Sequence, residues 1–156
     1  MTLRAFISLL LMVTTSACVV ATARSGQAGG RVVNVKEFGA TGNGTADDTA
    51  AVQAAIDAAK PGETIYFPAG IYSVANFVVK KRSGLSFAGE GQKSTIKQRT
   101  GAARIATVEA SRDIGISNLT FDANGITSYG GVVFYAARGV RIENNTFLDS
   151  APKRIG

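Results

Sequence analysis

Histidine and tryptophan are absent from the 156 residues, proline occurs three times, and the single cysteine, Cys18, lies close to the amino terminus. Without histidine the chain cannot build a histidine-based triad, a three-histidine zinc site or a histidine general base. One cysteine permits neither an internal disulfide nor a thiolate cluster. Acids are scarcer than bases, 11 against 17, for a formal net charge of +6. The run Ala5–Val13 is far shorter than the roughly 20 apolar residues a membrane-spanning helix needs, and no later segment approaches that length. No helix-turn-helix, zinc-finger or RNA-binding signature accompanies the positive charge, so nucleic acid is not the expected partner.

The short apolar run reads instead as the core of a signal peptide over residues 1–23. Arg4 precedes it, and Ala21-Thr22-Ala23 supplies the small residues a signal peptidase requires. Thr15-Ser16-Ala17-Cys18 also resembles a lipoprotein box, which makes Cys18 a candidate lipidation site. Both routes predict an exported protein, periplasmic or secreted, with anchoring at Cys18 as the variant. Residues 24–31 form a Gly-rich linker, and residues 32–156 carry one domain.

What is present is a repeat. Arg104–Asn124 laid on Gly130–Ser150, a shift of 26 residues, gives six identities in 21 positions where composition alone gives about one or two. The pairs are Ala110/Ala136, Arg112/Arg138, Ile116/Ile142, Asn118/Asn144, Thr120/Thr146 and Phe121/Phe147. A period in the twenties built from strand-length runs predicts a β-solenoid. Strands are expected at Thr64–Phe67, Tyr72–Val74, Phe77–Val79, Leu85–Phe87, Ile105–Val108, Ile114–Ile116, Leu119–Phe121, Val132–Tyr135, Val140–Ile142 and Thr146–Leu148. The alternation Ile114/Ile116 and Leu119/Phe121 sends those side chains inward.

One helix interrupts the pattern. Val52, Ala55, Ile56 and Ala59 form a narrow apolar stripe, and Pro61-Gly62 ends it. Asp47 or Asp48 is placed to cap its first amides. Such a helix would cover the open end of the solenoid.

The stretch from Val33 to Ala59, including Phe38-Gly-Ala-Thr-Gly-Asn-Gly44 and Asp47-Asp48, continues into Thr64-Ile-Tyr-Phe-Pro-Ala-Gly-Ile-Tyr72. Together they resemble the amino-terminal segment of pectate-lyase-superfamily proteins. The resemblance implies an all-β fold, a right-handed parallel β-helix with an amino-terminal capping helix, incomplete at its carboxyl end. It also implies an extracellular polysaccharide as partner. It does not choose among lyase, hydrolase, epimerase and non-enzymatic spike. The hydrolase branch carries Asn-Thr-Asp, Asp-Asp and Gly-His-Gly motifs on central coils. Here Asn144-Asn145-Thr146 continues to Phe147 instead.

Asp122 and Asn124, in Phe121-Asp-Ala-Asn-Gly125, and Asp149 follow the last strand of a coil and are the catalytic candidates. The shift pairs Asp122 with Leu148 and Asp149 with Ala123, so these acids do not stack. Calcium serves some members of the superfamily, but no carboxylate cluster identifies a site and no cofactor is evident. Lys80, Lys81, Arg82, Lys97 and Arg99, in one basic stretch with Lys93 and Arg104, are the substrate-binding candidates. For an exported protein their polyanion is a uronic-acid polysaccharide, and a merely solvated face is the plainer alternative. Arg112 and Arg138 read as a corner ladder partnered by backbone carbonyls. Asn118 and Asn144 read as a ladder of stacked amides in left-handed backbone.

The expected function is that of a carbohydrate-active protein represented by an amino-terminal portion without a complete active site. A non-catalytic glycan-binding, spike or adhesion module is the alternative. Residues 151–156 offer no closing element, so Ile142 and Phe147 are expected to face water at an open end where oligomerisation is possible.

Overall fold

The computed structural model describes residues 30–126 and 131–148. The stretch expected to be a signal peptide, Cys18, most of the expected linker, Asp149 and the 151–156 tail lie outside the described residues.

The chain winds through three parallel sheets in a fixed order. The first sheet contains β1 (Val32–Asn34), β3 (Thr64–Phe67), β6 (Ser86–Gly89), β9 (Gly115–Ser117) and β12 (Arg141–Glu143). The second contains β2 (Asn43–Asp47), β4 (Gly70–Val74), β7 (Ser94–Gln98), β10 (Thr120–Asp122) and β13 (Thr146–Leu148). The third contains β5 (Phe77–Lys80), β8 (Ala106–Glu109) and β11 (Val132–Tyr135). From β3 onward the chain visits the three sheets in turn, and neighbouring coils pair in parallel. This is a parallel β-helix.

Register turns the sequence period into stacked columns. In the first sheet Val33, Ile65, Phe87, Ile116 and Ile142 lie in one inward column. In the second sheet Tyr72, Ile96, Phe121 and Phe147 do the same. Phe121 and Phe147 stack with ring centroids 5.3 Å apart and planes inclined by 14°. All six identities of the repeat become spatial neighbours. Three are strand-register pairs, Ile116/Ile142, Thr120/Thr146 and Phe121/Phe147, and Arg112/Arg138 is a parallel bridge. Ala110/Ala136 and Asn118/Asn144 are corner residues with φ between 48° and 54°.

The polar ladder differs from expectation in one respect. Asn118 and Asn144 hold the left-handed corner, but among the described residues no side-chain bond joins their amides. The neighbouring Asn145 binds the coils instead, accepting from the Leu119 amide at 3.0 Å and donating to the Ile116 carbonyl at 2.8 Å. An amide side chain does both because it carries a donor and an acceptor.

Two strands lack the apolar run that would announce them. β2 reads Asn-Gly-Thr-Ala-Asp, and β7 turns Ser94, Ile96 and Gln98 inward. The Ser94 hydroxyl satisfies itself by donating to the Phe67 carbonyl at 2.7 Å and accepting from the Glu90 amide at 2.9 Å. Buried polar groups survive where such partners exist.

The helix α1 (Thr49–Ala58) closes the amino-terminal end, with Val52, Ala55, Ile56 and Ala59 all buried. Of the two acids expected to cap it, Asp47 does so, accepting from the Thr49 amide at 2.9 Å, and Asp48 does not. Asp48 is buried and turned toward the preceding loop, accepting from the amides of Thr41 and Gly42 and from the Thr41 hydroxyl. Three donors converge on one carboxylate, which is how a buried charge is tolerated.

Candidate functional site

Alternation within each strand places every second residue on the outer surface. On the third sheet, Lys80, Glu109 and Tyr135 occupy one outward row by register. Lys80 Nζ lies 2.9 Å from Glu109 Oε1, with both side chains about half exposed. Arg104 reaches along the same face and donates to the Tyr135 hydroxyl at 3.2 Å. Its guanidinium carbon sits 5.9 Å from the centre of the Tyr135 ring, within cation–π range. Tyr135 remains 49% exposed, so the ring presents a face to solvent rather than packing in the core. On the same outward face Thr107 donates to Asn76 at 2.7 Å. The result is a patch holding an aromatic ring, two cations and one paired carboxylate.

The second sheet carries a different outward row, Asp47, Ser73, Lys97 and Asp122. Asp122 Oδ1 accepts from the Asn124 amide at 2.7 Å. Asn124 has φ 53° and donates from its side chain to the Gln98 carbonyl at 3.1 Å. These two candidates therefore have corner-building bonds, with Lys97 beside Asp122 in register.

The basic stretch is contiguous in sequence and dispersed in space. Lys80 belongs to the third sheet, and Arg99 reaches Asp47 on the second at 3.5 Å. Lys81 sits at the corner after β5 with φ 53°. Arg82 turns toward the cap and donates to the carbonyls of Ile56 and Ala59 at the end of α1. Those carbonyls lack helical partners, so Arg82 completes the helix. Arg112 and Arg138 stack through their backbones, but among the described residues no carbonyl partners their guanidinium groups. They line a cleft of about 400 Å³.

Perturbed ionisation falls on the amino-terminal coils. The Tyr66 hydroxyl, followed by the Ala69 amide, holds the Glu90 carboxyl below its ordinary range. Bonds from Thr49 lower Asp47, with Arg99 contributing less. Burial, then the Asp48 charge, pushes Tyr72 up to about 12. These groups bind one another or the backbone, a structural pattern. Among the described residues no three acidic or thiol side chains converge to hold a metal ion, and no helix is long and apolar enough to cross a membrane.

The residues that sequence reasoning undervalued are Glu109, Tyr135 and Arg104. Pairing Glu109 with Tyr135 at the 26-residue shift was the available signal. It predicts their adjacency, but not the reach of Arg104 across the sheet.

A three-sheet parallel solenoid closed by an amino-terminal helix, with charged and aromatic outward rows, defines a pectate-lyase-like protein. The rhamnogalacturonase A/epimerase, pectate lyase-like family model matches residues 32–153, and the chain belongs to that family. It is 40% identical over 107 residues to mannuronan C5-epimerase AlgE1 of Azotobacter vinelandii, covering 58% of this chain and 8% of that protein. Alginate lyase 7 of the same organism is 40% identical over 109 residues, covering 58% of this chain and 12% of that protein. The solved A-module of A. vinelandii mannuronan C-5 epimerase AlgE6 aligns with TM-score 0.60 and 30% identity, over 73% of this chain and 37% of the module. The chain thus spans about a tenth of the length of these curated relatives.

Proposed function

We propose that this chain is a β-helical segment of an exported protein that binds and acts on an acidic extracellular polysaccharide, of the uronic-acid type. The outward face of the third sheet carries the reading. Tyr135 offers a ring for a sugar face, and Arg104, which has no acid partner among the described residues, offers charge for a carboxylate. Epimerisation at C5 and β-elimination both begin by removing the proton next to a uronate carboxylate. Cations that neutralise that carboxylate favour either reaction, because charge develops beside it as the proton leaves. The described residues supply the binding half of this chemistry. Glu109 is held by Lys80, Asp122 is tied into its corner, and neither stands free as a base on the sheet-three face. The role assigned to the binding face is to orient the polymer.

Affinity electrophoresis of the full chain in gels containing polymannuronate, polygalacturonate or neutral dextran tests the reading. Retardation by the uronate polymers alone, weakening as salt is raised, is the expected result. Equal mobility in all gels at low salt overturns it. Incubation with the same polymers, followed by assays for unsaturated uronates and reducing ends, separates binding from turnover.

A further inference from the structure

The corner between the third and first sheets carries a second basic feature, separate from the Tyr135 face. Arg112 and Arg138 occupy the same position on consecutive coils, joined by a parallel backbone bridge. The bridge is embedded in a backbone ladder, with the Arg112 amide donating to the Arg82 carbonyl and the Asp113 amide to the Arg138 carbonyl. Their spacing along the axis is therefore one strand separation, about 4.8 Å. That spacing applies to the backbone, and both exposed side chains start from it on the same corner. Among the described residues neither guanidinium has an ion-pair partner. The one acid in the cleft, Asp113, has its Oδ1 over Gly139, whose missing side chain makes the room.

The floor of the cleft is small by design of the backbone. Ala110 and Ala136 sit there with φ 48° and 50°, a conformation that an L-residue with a Cβ adopts at a cost. The two arginines thus flank a floor of methyl groups, open to solvent, with unneutralised donors repeated at the period of the coil.

We propose that the Arg112–Arg138 ladder is a binding track for an anionic glycan lying parallel to the solenoid axis, engaging carboxylates on neighbouring sugar residues. A guanidinium suits this task because its fork of donors matches a carboxylate. This inference rests on the acidic-polysaccharide reading and assigns it a second contact surface.

The test measures affinity of the full chain for polymannuronate oligomers of increasing length, at several salt concentrations, by calorimetry. Arg112→Gln/Arg138→Gln should bind about tenfold more weakly or worse. Its affinity should also depend less steeply on salt, by about one unit of log–log slope per arginine removed. Arg112→Lys/Arg138→Lys should keep the salt slope while losing part of the affinity, which a folding defect would not reproduce. Circular dichroism melts on each variant verify that the exposed substitutions leave the fold intact. If the Gln pair binds like the parent while Arg104→Gln weakens binding, the ladder is overturned and the broader reading stands. If the parent binds no uronate oligomer, both fall.

Discussion

The side-chain amide of Gln53 on α1 bonds both backbone groups of Val78 on β5, accepting from its amide at 2.8 Å and donating to its carbonyl at 3.0 Å. β5 is the first strand of the third sheet, so its outer edge has no strand before it. One amide side chain imitates the missing strand, and the helix becomes an edge cover as well as a lid over the core. An uncovered edge invites pairing with another chain.

Gln53→Leu should therefore destabilise the protein by about 1–3 kcal/mol, because two part-buried backbone groups lose their partners. Gln53→Glu should fall between Leu and the parent, since a carboxylate accepts from Val78 but cannot donate to its carbonyl. Urea denaturation measures both. Equal midpoints for parent and Leu variant would show that water satisfies this edge.

The buried stripe of the same helix makes a stronger demand. Ile56 is 1% exposed, and Ile56→Asp places an unpaired carboxylate against apolar strands, at a cost of several kcal/mol. A melt within a degree or two of the parent would refute the packing. Arg82→Gln separates structure from binding at the other end of the helix. It should lower stability by about 1–3 kcal/mol through the freed carbonyls of Ile56 and Ala59. Affinity for polymannuronate should stay unchanged, because the guanidinium is already committed.

Much of this architecture is legible in the sequence because a solenoid writes its register into its period. Ile116 over Ile142 and Phe121 over Phe147 follow from one 26-residue shift. β2 and β7 escape notice because their interior or paired positions are Asn, Ser and Gln, satisfied by local bonds instead of apolar burial. Asp48 reads as a cap from its position ahead of the helix, yet Thr41 and Gly42 offer it three donors and win. The basic residues mislead for a related reason. A coil turns a corner every few residues, so Lys80, Arg82 and Arg99 end on different faces despite standing close in sequence. What brings Arg104 to Tyr135 is the distance between coils, which no linear spacing expresses.

Acid should loosen the amino-terminal coils. Glu90 and Asp47 both have carboxyl groups lowered below their ordinary values of 4.5 and 3.8, Glu90 by Tyr66 and Asp47 by Thr49. The folded state then binds fewer protons than the unfolded one through that range. Their stabilising contribution is complete above the unfolded values and disappears as pH falls through the lower folded ones. Tyr66→Phe removes the largest cause at Glu90, so its stability should vary less with pH below about 4.5 than the parent's. Parallel stability–pH curves for the two proteins would contradict the assignment.

Phe121 and Phe147 supply a matched pair for the last test. They share residue type, sheet and column, and their rings stack. Yet Phe121 is 4% exposed and Phe147 58%, because a coil covers the first and none of the described residues covers the second. Large-to-small substitution costs the lost burial plus the cavity left behind, about 3–5 kcal/mol for a buried phenylalanine. Phe121→Ala should pay all of that. Phe147→Ala opens no enclosed cavity and loses only one stacked face, a cost nearer 1 kcal/mol. The comparison is made by urea denaturation at two protein concentrations well apart. Equal, large losses that grow with protein concentration would mean that Phe147 is buried in solution against another surface. Equal, small losses would mean that Phe121 is not in the core, and the stacked-column account of the second sheet would fail.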